Sequence, residues 1–235
     1  MKFDSLKAQA IAITIMAAWM ATILFALSSN HTLFGQLVLI FLIIFLSVGL
    51  FITAHDSMHG LISPRQKLND WYGKIALYLY GAFSFKKLKQ KHIEHHENPV
   101  SKSDPDYTDY PNEDFALWFW SFMRRYYGLK EFGLMHGHII FFLWVADWNV
   151  SKVLIFYALP SLLSAIQLFY FGTYLPHRTG TGHTNEHNAR SNDFNEFISL
   201  ITCYHFGYHY EHHAYPGTPW WKLPSKRKSK KENYA

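Results

Sequence analysis

The chain has 235 residues, long enough for one large domain, and we treat residues 1–235 as a single unit. Its formal net charge is +5, but the basic residues flank apolar runs, so the positive-inside rule explains them better than a nucleic-acid partner does. A single cysteine, Cys203, excludes an intrachain disulfide and is expected to serve packing.

The first part of the chain predicts two membrane spans. From Ala8 to Ala54 there is no Asp, Glu, Lys or Arg. A bilayer-spanning helix needs about 20 apolar residues, so this run predicts spans at 8–27 and 33–53, separated by a polar break. A cleaved signal peptide is the alternative for the first run, and the second apolar run that follows at once disfavours it.

The second half of the chain predicts two more spans, at 132–147 and 153–175. The segment between the second and third spans contains several kinds of predicted structure. Residues 68–85 predict a helix in the membrane interface or packed under the polar part of the protein. Residues 101–114 predict a loop, and 115–127 have the composition of an interfacial aromatic belt. The basic tail, 225–235, is expected near anionic lipid headgroups.

Three segments carry histidines at the spacing of one helix face. His55 and His59 are four residues apart at the end of the second span, where Gly60 and Pro64 predict the end of the helix. The other two segments have the i, i+3, i+4 pattern, and His205 is predicted one turn before the last of them on the same stripe. The eight patterned histidines are His55, His59, His92, His95, His96, His209, His212 and His213.

Clustered neutral imidazoles are typical ligands of transition metals. Eight exceed the four that a structural zinc needs, and the cysteine that such sites usually recruit is missing from the clusters, so two metal ions with open positions fit better. Four acids within the clusters are candidates to orient the imidazoles by accepting the second ring N–H, with a solvated or charge-network role as the alternative. These acids are Asp56, Glu94, Glu97 and Glu211. Five further histidines follow no clear ligand pattern: His31, His136, His138, His183 and His187.

The motifs HDSMHG, HIEHHENP and HFGYHYEHH resemble the three histidine boxes of the membrane fatty-acid desaturase and hydroxylase superfamily. The longer forms FITAHDSMHG, FGTYLPHR and HFGYHYEHHAYP are similar to those of bacterial and cyanobacterial β-carotene ketolases. The resemblance implies a non-haem centre of two iron ions, O2 as co-substrate and electrons from a ferredoxin-like donor. It implies the eight box histidines as ligands, and a ninth at the end of the last span, where His177 stands and His205 is the alternative.

The fold expected from these patterns is an all-α, multi-pass membrane protein with four transmembrane helices and a cytoplasmic, histidine-rich helical cap. Both termini are expected on the cytoplasmic face. The implied reaction is ketone formation at ring carbon 4 of β-carotene, taken from the bilayer, and possible substrates include zeaxanthin. A membrane fatty-acid desaturase and a carotenoid hydroxylase are the nearest alternatives. A membrane metal-binding or transport protein is disfavoured, because the first two spans lack the ionisable residues that pass an ion.

Overall fold

The computed structural model of the protein describes residues 2–110, 112–179 and 185–233, so His183 lies outside the described residues. Within these ranges the chain is helical and has no strand, which confirms the predicted all-α class. A 3₁₀ turn, Trp220–Lys222, precedes the last helix. The helices are α1 (Lys2–Ser28), α2 (Leu33–Met58), α3 (Gln66–Gly81), α4 (Phe85–Glu97), α5 (Phe115–Tyr126), α6 (Leu129–Val145), α7 (Val150–His177), α8 (Glu196–Cys203), α9 (His209–Ala214) and α10 (Leu223–Asn233).

Three helices among the described residues are long and apolar enough to cross a membrane: Asp4–Ser28 within α1, and all of α2 and α7. The predicted spans 8–27, 33–53 and 153–175 lie inside them. The predicted span 132–147 corresponds to α6, which begins three residues earlier and ends two residues earlier. With 17 residues, α6 is about 26 Å long at 1.5 Å per residue, shorter than the other three.

Helix α2 is the centre of the bundle and packs against α1, α3 and α7. Its outward face keeps large apolar side chains such as Phe34 and Phe41 exposed, as a helix in contact with lipid would. Its inward face is buried, and there the indole of Trp19 in α1 donates a hydrogen bond to Ser47, with 2.9 Å between Nε1 and Oγ. This bond satisfies the polar atoms of both side chains inside the bundle.

The end of α2 is fixed by Asn69 of α3, which is fully buried. The Asn69 amide donates to the carbonyl of Ser57 at 2.7 Å and accepts from the backbone N–H of Ile62 at 3.2 Å. The hydroxyl of Ser57 donates in return to the Asn69 carbonyl at 2.7 Å. These bonds hold the end of α2, which carries His55, against α3.

A glycine allows α2, α3 and α4 to meet closely. A Cβ atom at Gly73 in α3 would lie 2.1 Å from the ring of Phe85 and 2.6 Å from the hydroxyl of Ser57. Phe85 opens α4 directly after Ser84, whose side chain caps the helix by accepting from the Lys87 N–H at 3.4 Å. The close approach therefore brings the first turn of α4, and the histidines along it, beside the end of α2.

Helix α7 is not uniform, because it contains two π-helical stretches, Leu154–Ala158 and Tyr170–Tyr174. Such stretches are frequent at functional sites. The second one carries Gly172, where a Cβ would lie 2.6 Å from the ring of Phe206. One turn of α-helix follows, and it places His177 at the C-terminal end of α7.

The part of the chain from α3 to α5 contributes some side chains to the core and leaves others exposed. The predicted interfacial helix is α3, and the aromatic stretch predicted at 115–127 forms α5. Trp120 of α5 is exposed as an interfacial residue would be, but Trp118 is fully buried and donates from its indole to the Asp106 carbonyl at 2.8 Å. Trp118 thus holds the preceding loop, whereas Trp120 lies on the outer surface.

Candidate metal centre

Nine histidines from four separate parts of the chain converge at one end of the bundle. They come from the end of α2, from α4, from the last turn of α7 and from α9. Eight of them form two groups in which all the ligand nitrogens lie within 4.8 Å of one another. The first group is His55, His59, His92 and His212, and the second is His95, His177, His209 and His213.

The Nε2 atoms within each group face a common point. In the first group, His55 and His212 are 3.1 Å apart, and His59 and His92 are 2.8 Å apart. With metal–nitrogen bonds of about 2.1 Å, two ligands at a right angle are about 3.0 Å apart and two tetrahedral ligands about 3.4 Å. The observed spacings are close to those expected for two nitrogens that bind the same ion.

The second group repeats this geometry. The Nε2 of His177 lies 2.8 Å from that of His209, and the Nε2 of His213 lies 3.1 Å from those of both His95 and His209. Helix α9 contributes to both groups, because His212 belongs to the first group and His213, about 100° further around the helix, belongs to the second. That single turn therefore joins the two halves of the site.

The ninth histidine, His96, lies between the groups. Its Nε2 is 3.1 Å from that of His92 and 2.9 Å from that of His212, and its ring stacks on His213 with 4.2 Å between centroids. By these distances its nitrogen faces the first group while its ring covers the second.

Two imidazoles have their second nitrogen fixed by an acceptor. The Nδ1 of His95 lies 2.9 and 3.0 Å from the two oxygens of Asp104, and the Nδ1 of His177 lies 3.2 Å from the Asn188 carbonyl. With the N–H at Nδ1, each Nε2 carries a lone pair directed into the group. Acceptors of this kind commonly fix the tautomer of metal-binding histidines.

The sequence reasoning missed Asp104, which is buried in the loop assigned to 101–114. Its carboxylate also accepts from the backbone N–H groups of Val100 and Asp106, each at 2.8 Å. Burial opposes ionisation of Asp104, but His95 and these N–H groups outweigh it and hold the pKa of the carboxyl below its ordinary value. The sequence offered only an acidic cluster that begins eight residues after His96, with nothing to single out Asp104.

Burial keeps most of these imidazoles neutral. Burial, reinforced by neighbouring imidazoles, holds the pKa of His92, His209, His212 and His213 well below the ordinary value and that of His96 at about 2. Burial also lowers the pKa of His59 to about 4. His95 differs: burial opposes its protonation, but the carboxylates of Asp106 and Asp104 outweigh burial and raise its pKa. Neutral imidazole is the form that binds a metal.

These observations test whether the residues fit two metal ions. Nine nitrogen donors exceed the needs of one ion, they separate into two groups, and none of the donors is a thiolate. Two of the imidazoles have the correct tautomer imposed from outside the group. The donor set fits two first-row transition ions held by imidazole, and iron is among the metals that imidazole suits.

The four acids predicted to orient imidazoles differ in their surroundings. Asp56 is buried beside His55, with 3.6 Å between its Oδ1 and the ring Nδ1, and accepts from the Trp220 N–H at 3.2 Å. Glu94 accepts from the Gln90 amide, and Glu97 is exposed. Glu211 accepts from the Ser191 hydroxyl and lies 3.7 Å from Arg227. In the described contacts, Asp56 alone of the four lies beside a box histidine.

The predicted helical stripe through His205 is wrong. Helix α8 ends at Cys203, Tyr204 and His205 both adopt positive φ, and α9 begins only at His209. This turn redirects the His205 ring, which stacks on Tyr208 and Trp220 rather than joining the two groups. His177, and not His205, lies in the second group of histidines.

The remaining described histidines lie outside both groups. His31 packs between aromatic rings in the α1–α2 turn. The Nδ1 of His136 lies near its own helix backbone, and that of His138 lies 3.0 Å from the Tyr157 hydroxyl. His187 approaches most closely, with 6.2 Å between its ring centroid and that of His213.

An apolar cavity leads to the histidines from within the bundle. It contains about 760 Å³ of empty space, part of it open to the outside, and lies between α2, α3, α5 and α7. Its inner wall includes His55, His92, His95 and His209, so it reaches both groups. The sequence did not reveal this wall, because its aromatic residues come from four helices.

Phe206 forms the part of the wall nearest the histidines. Its ring centroid lies 4.6 Å from that of His55, 4.9 Å from that of His209 and 5.5 Å from that of His212. The missing side chain at Gly172 makes room for this ring. Packing of Phe206 therefore links the π-helical stretch of α7 to the position of the imidazoles.

Comparison with known proteins places this arrangement in a family. The sequence profile described as "Fatty acid desaturase" matches residues 31–142 and 134–235. The chain is 41% identical over 221 residues to the "Beta-carotene ketolase" of Paracoccus sp. (strain N81106 / MBIC 01143), covering 91% of this chain and 89% of the relative. It is 40% identical to the "Beta-carotene ketolase" of Paracoccus sp. (strain PC1), with 92% and 90% covered.

A relative from a green alga is also similar. The chain is 36% identical over 235 aligned residues to the "Zeaxanthin 4-ketolase" of Chlamydomonas reinhardtii, which covers 93% of this chain and 52% of the relative. The residues matched by the desaturase profile include the four parts of the chain that supply the nine histidines. The chain therefore belongs to the fatty acid desaturase family, and within it to the carotenoid ketolases.

Proposed function

We propose that this chain oxidises ring carbon 4 of β-carotene to a ketone. The observation that carries the proposal is the apolar cavity that ends at both histidine groups, in a chain about 40% identical to β-carotene ketolases over nearly its whole length. A hydrocarbon ring entering from the bilayer matches the lining of the cavity. Similarity to a zeaxanthin 4-ketolase supports zeaxanthin as a second substrate.

The proposed metal centre contains two iron ions. One would be held by the first group together with His96, and the other by the second group, which includes His177 as ninth ligand. When bound, two iron ions supply the activation of O2 that breaks an allylic C–H bond. A ferredoxin-like carrier is the proposed source of electrons.

The side chains around the ions would orient them and exclude water. Asp104 holds the His95 ring by accepting from its Nδ1, and the Asn188 carbonyl does the same for His177. Phe206 and the aromatic residues of the cavity keep the space beside the imidazoles apolar. A dry cavity strengthens electrostatic interactions and limits side reactions of a reactive centre.

The proposed reaction consists of two hydroxylations at the same carbon. Carbon 4 is allylic, so its C–H bonds are the weaker ones in the ring. A first hydroxylation gives the alcohol, and a second gives a geminal diol that loses water to the ketone. The protein must therefore present the same carbon to the same centre twice.

We further propose four transmembrane helices with the histidines on the cytoplasmic face. The 17 residues of α6 are at the lower limit for a span, which is about 17–25 residues. Lys152 at the start of α7 donates to the Leu27 carbonyl at the end of α1, so both hairpin turns lie at the end opposite the histidines. The positive-inside rule then assigns the basic end, with both termini, to the cytoplasm.

Expression in cells that accumulate β-carotene tests the function. Chromatography and mass spectrometry of the pigments should show the mono- and diketones, echinenone and canthaxanthin, and the His212→Ala variant should form neither. The hydroxylated carotenoid alone would indicate a hydroxylase, and new acyl double bonds would indicate a desaturase. Unchanged pigments and lipids, with zinc alone in the purified protein, would indicate metal binding without oxidation.

A further inference from the structure

A carboxylate borders the apolar cavity beside the second histidine group. Asp106 is part of the cavity wall, and its Oδ2 lies 3.9 Å from the Nδ1 of His95. The Nδ1 of His95 is closer to Asp104, at 2.9 Å, so Asp106 is not the main partner of that imidazole. A carboxylate is costly to place in an apolar wall, and a hydrocarbon substrate gives it nothing to bind.

Asp106 is held in place by its neighbours. Its backbone N–H donates to Asp104 at 2.8 Å, and its carbonyl accepts from the Trp118 indole at 2.8 Å. The hydroxyl of Tyr126 donates to Oδ1. Tyr126 is buried and also lines the cavity, where its ring packs against Phe122 with 4.7 Å between centroids.

This arrangement leaves acceptor capacity at the cavity. A carboxylate offers about four lone-pair positions, and the described side-chain hydrogen bond to Asp106 uses one of them. The Asp106 carboxylate, part of the cavity wall, therefore keeps lone pairs close to His95. A hydroxyl group placed there has an acceptor within the apolar wall.

We propose that Asp106, oriented by Tyr126, accepts a hydrogen bond from the hydroxyl group that the first oxidation leaves on ring carbon 4. This inference rests on the proposed function. The hydrogen bond holds the alcohol in the cavity, with the same carbon beside the metal centre, until the second oxidation. Without it the alcohol lacks a partner in an apolar cavity, and it leaves before it becomes a ketone.

Asp106 thus binds the alcohol intermediate directly, and Tyr126 positions Asp106 by donating to its carboxylate. A hydrogen bond to a charged group changes an equilibrium by about 10- to 150-fold. Removing it should weaken retention of the alcohol by about 10-fold or more, a larger effect than on the first oxidation of β-carotene.

The test uses the Tyr126→Phe variant, which keeps the ring and removes the hydroxyl group. Tyr127→Phe is the matched control, because the Tyr127 hydroxyl donates to the Glu131 carbonyl at 3.2 Å, away from Asp106. In cells that make β-carotene, Tyr126→Phe should accumulate the 4-hydroxy carotenoid and raise the ratio of alcohol to ketone above that of wild type. Tyr127→Phe should give the wild-type ratio of alcohol to ketone.

A second measurement uses purified protein supplied directly with the 4-hydroxy carotenoid. Tyr126→Phe should raise KM for the alcohol by about 10-fold and change KM for β-carotene much less, with iron content equal to that of wild type. An alcohol-to-ketone ratio and KM equal to those of Tyr127→Phe would overturn the inference. Loss of iron, or equal loss of both oxidations, would also overturn it, because Tyr126 would then act through the metal centre.

Failure of the proposed function gives a different result from failure of this inference. If wild type forms neither alcohol nor ketone, the ketolase assignment fails and the inference falls with it. If wild type forms the ketone and Tyr126→Phe does not differ from the control, the inference alone fails.

Discussion

Replacing Asp104 by Asn should weaken iron binding without unfolding the protein. The Asp104 carboxylate accepts from His95 and from two backbone N–H groups, those of Val100 and Asp106. An amide of the same size has a single acceptor oxygen, so its NH2 group must face one of these backbone donors. The variant therefore loses one backbone hydrogen bond and the negative charge beside the imidazole.

The size of the effect follows from these contacts. A hydrogen bond to a buried charged group contributes about 1.5–3 kcal/mol, which corresponds to about 10- to 150-fold in an equilibrium constant. Groups that orient metal-binding histidines typically account for about 10- to 100-fold in affinity or activity. We therefore expect iron affinity of the Asp104→Asn protein to fall about 10- to 100-fold.

The assay is iron bound per chain in detergent-purified protein, titrated with a competing chelator. Asp109→Asn is the matched control, because Asp109 lies in the same loop but is 67% exposed and pairs with Arg125. The control should bind iron as wild type does. Equal chelator curves for Asp104→Asn and wild type would refute the view that this carboxylate orients His95 for a metal.

Two further predictions concern other parts of the site. His177→Ala should lower iron per chain from two ions toward one and abolish ketone formation. His205→Ala should retain both ions. Loss of iron in His205→Ala alone would make His205, rather than His177, the ninth ligand. Gly172→Ala should lower the free energy of unfolding by about 1–3 kcal/mol through overpacking against Phe206. Gly133→Ala is the control, because an added Cβ there meets open space, and it should not lower stability. Equal melting temperatures of the two variants in detergent would contradict the packing argument.

The sequence was sufficient for those features that depend on local periodicity. The i, i+3, i+4 spacing predicted that His92, His95 and His96 lie on one helix, and they lie on α4. Uncharged length predicted α1, α2 and α7. These patterns arise from helix geometry itself, so no knowledge of neighbouring segments was needed.

The features that were missed depend on contacts between distant segments. The break at Tyr204 and His205 follows from packing: the Tyr204 hydroxyl lies against Gly49 of α2, and Phe206 lies against Gly172 of α7. Asp104 gave no usable signal, because a loop has no periodicity and its carboxylate finds its partner only after folding. The division of the histidines into two groups likewise depends on how α4 and α9 meet.

The central claim is that iron held by these histidines oxidises β-carotene. The most direct test removes the metal from the purified protein with a chelator, restores either Fe(II) or Zn(II), and measures ketone formed from β-carotene with O2 and a reduced ferredoxin. We predict no ketone from the metal-free or zinc-loaded protein and recovery with iron alone. Ketone formation by the metal-free protein, or equal recovery with zinc, would contradict the claim.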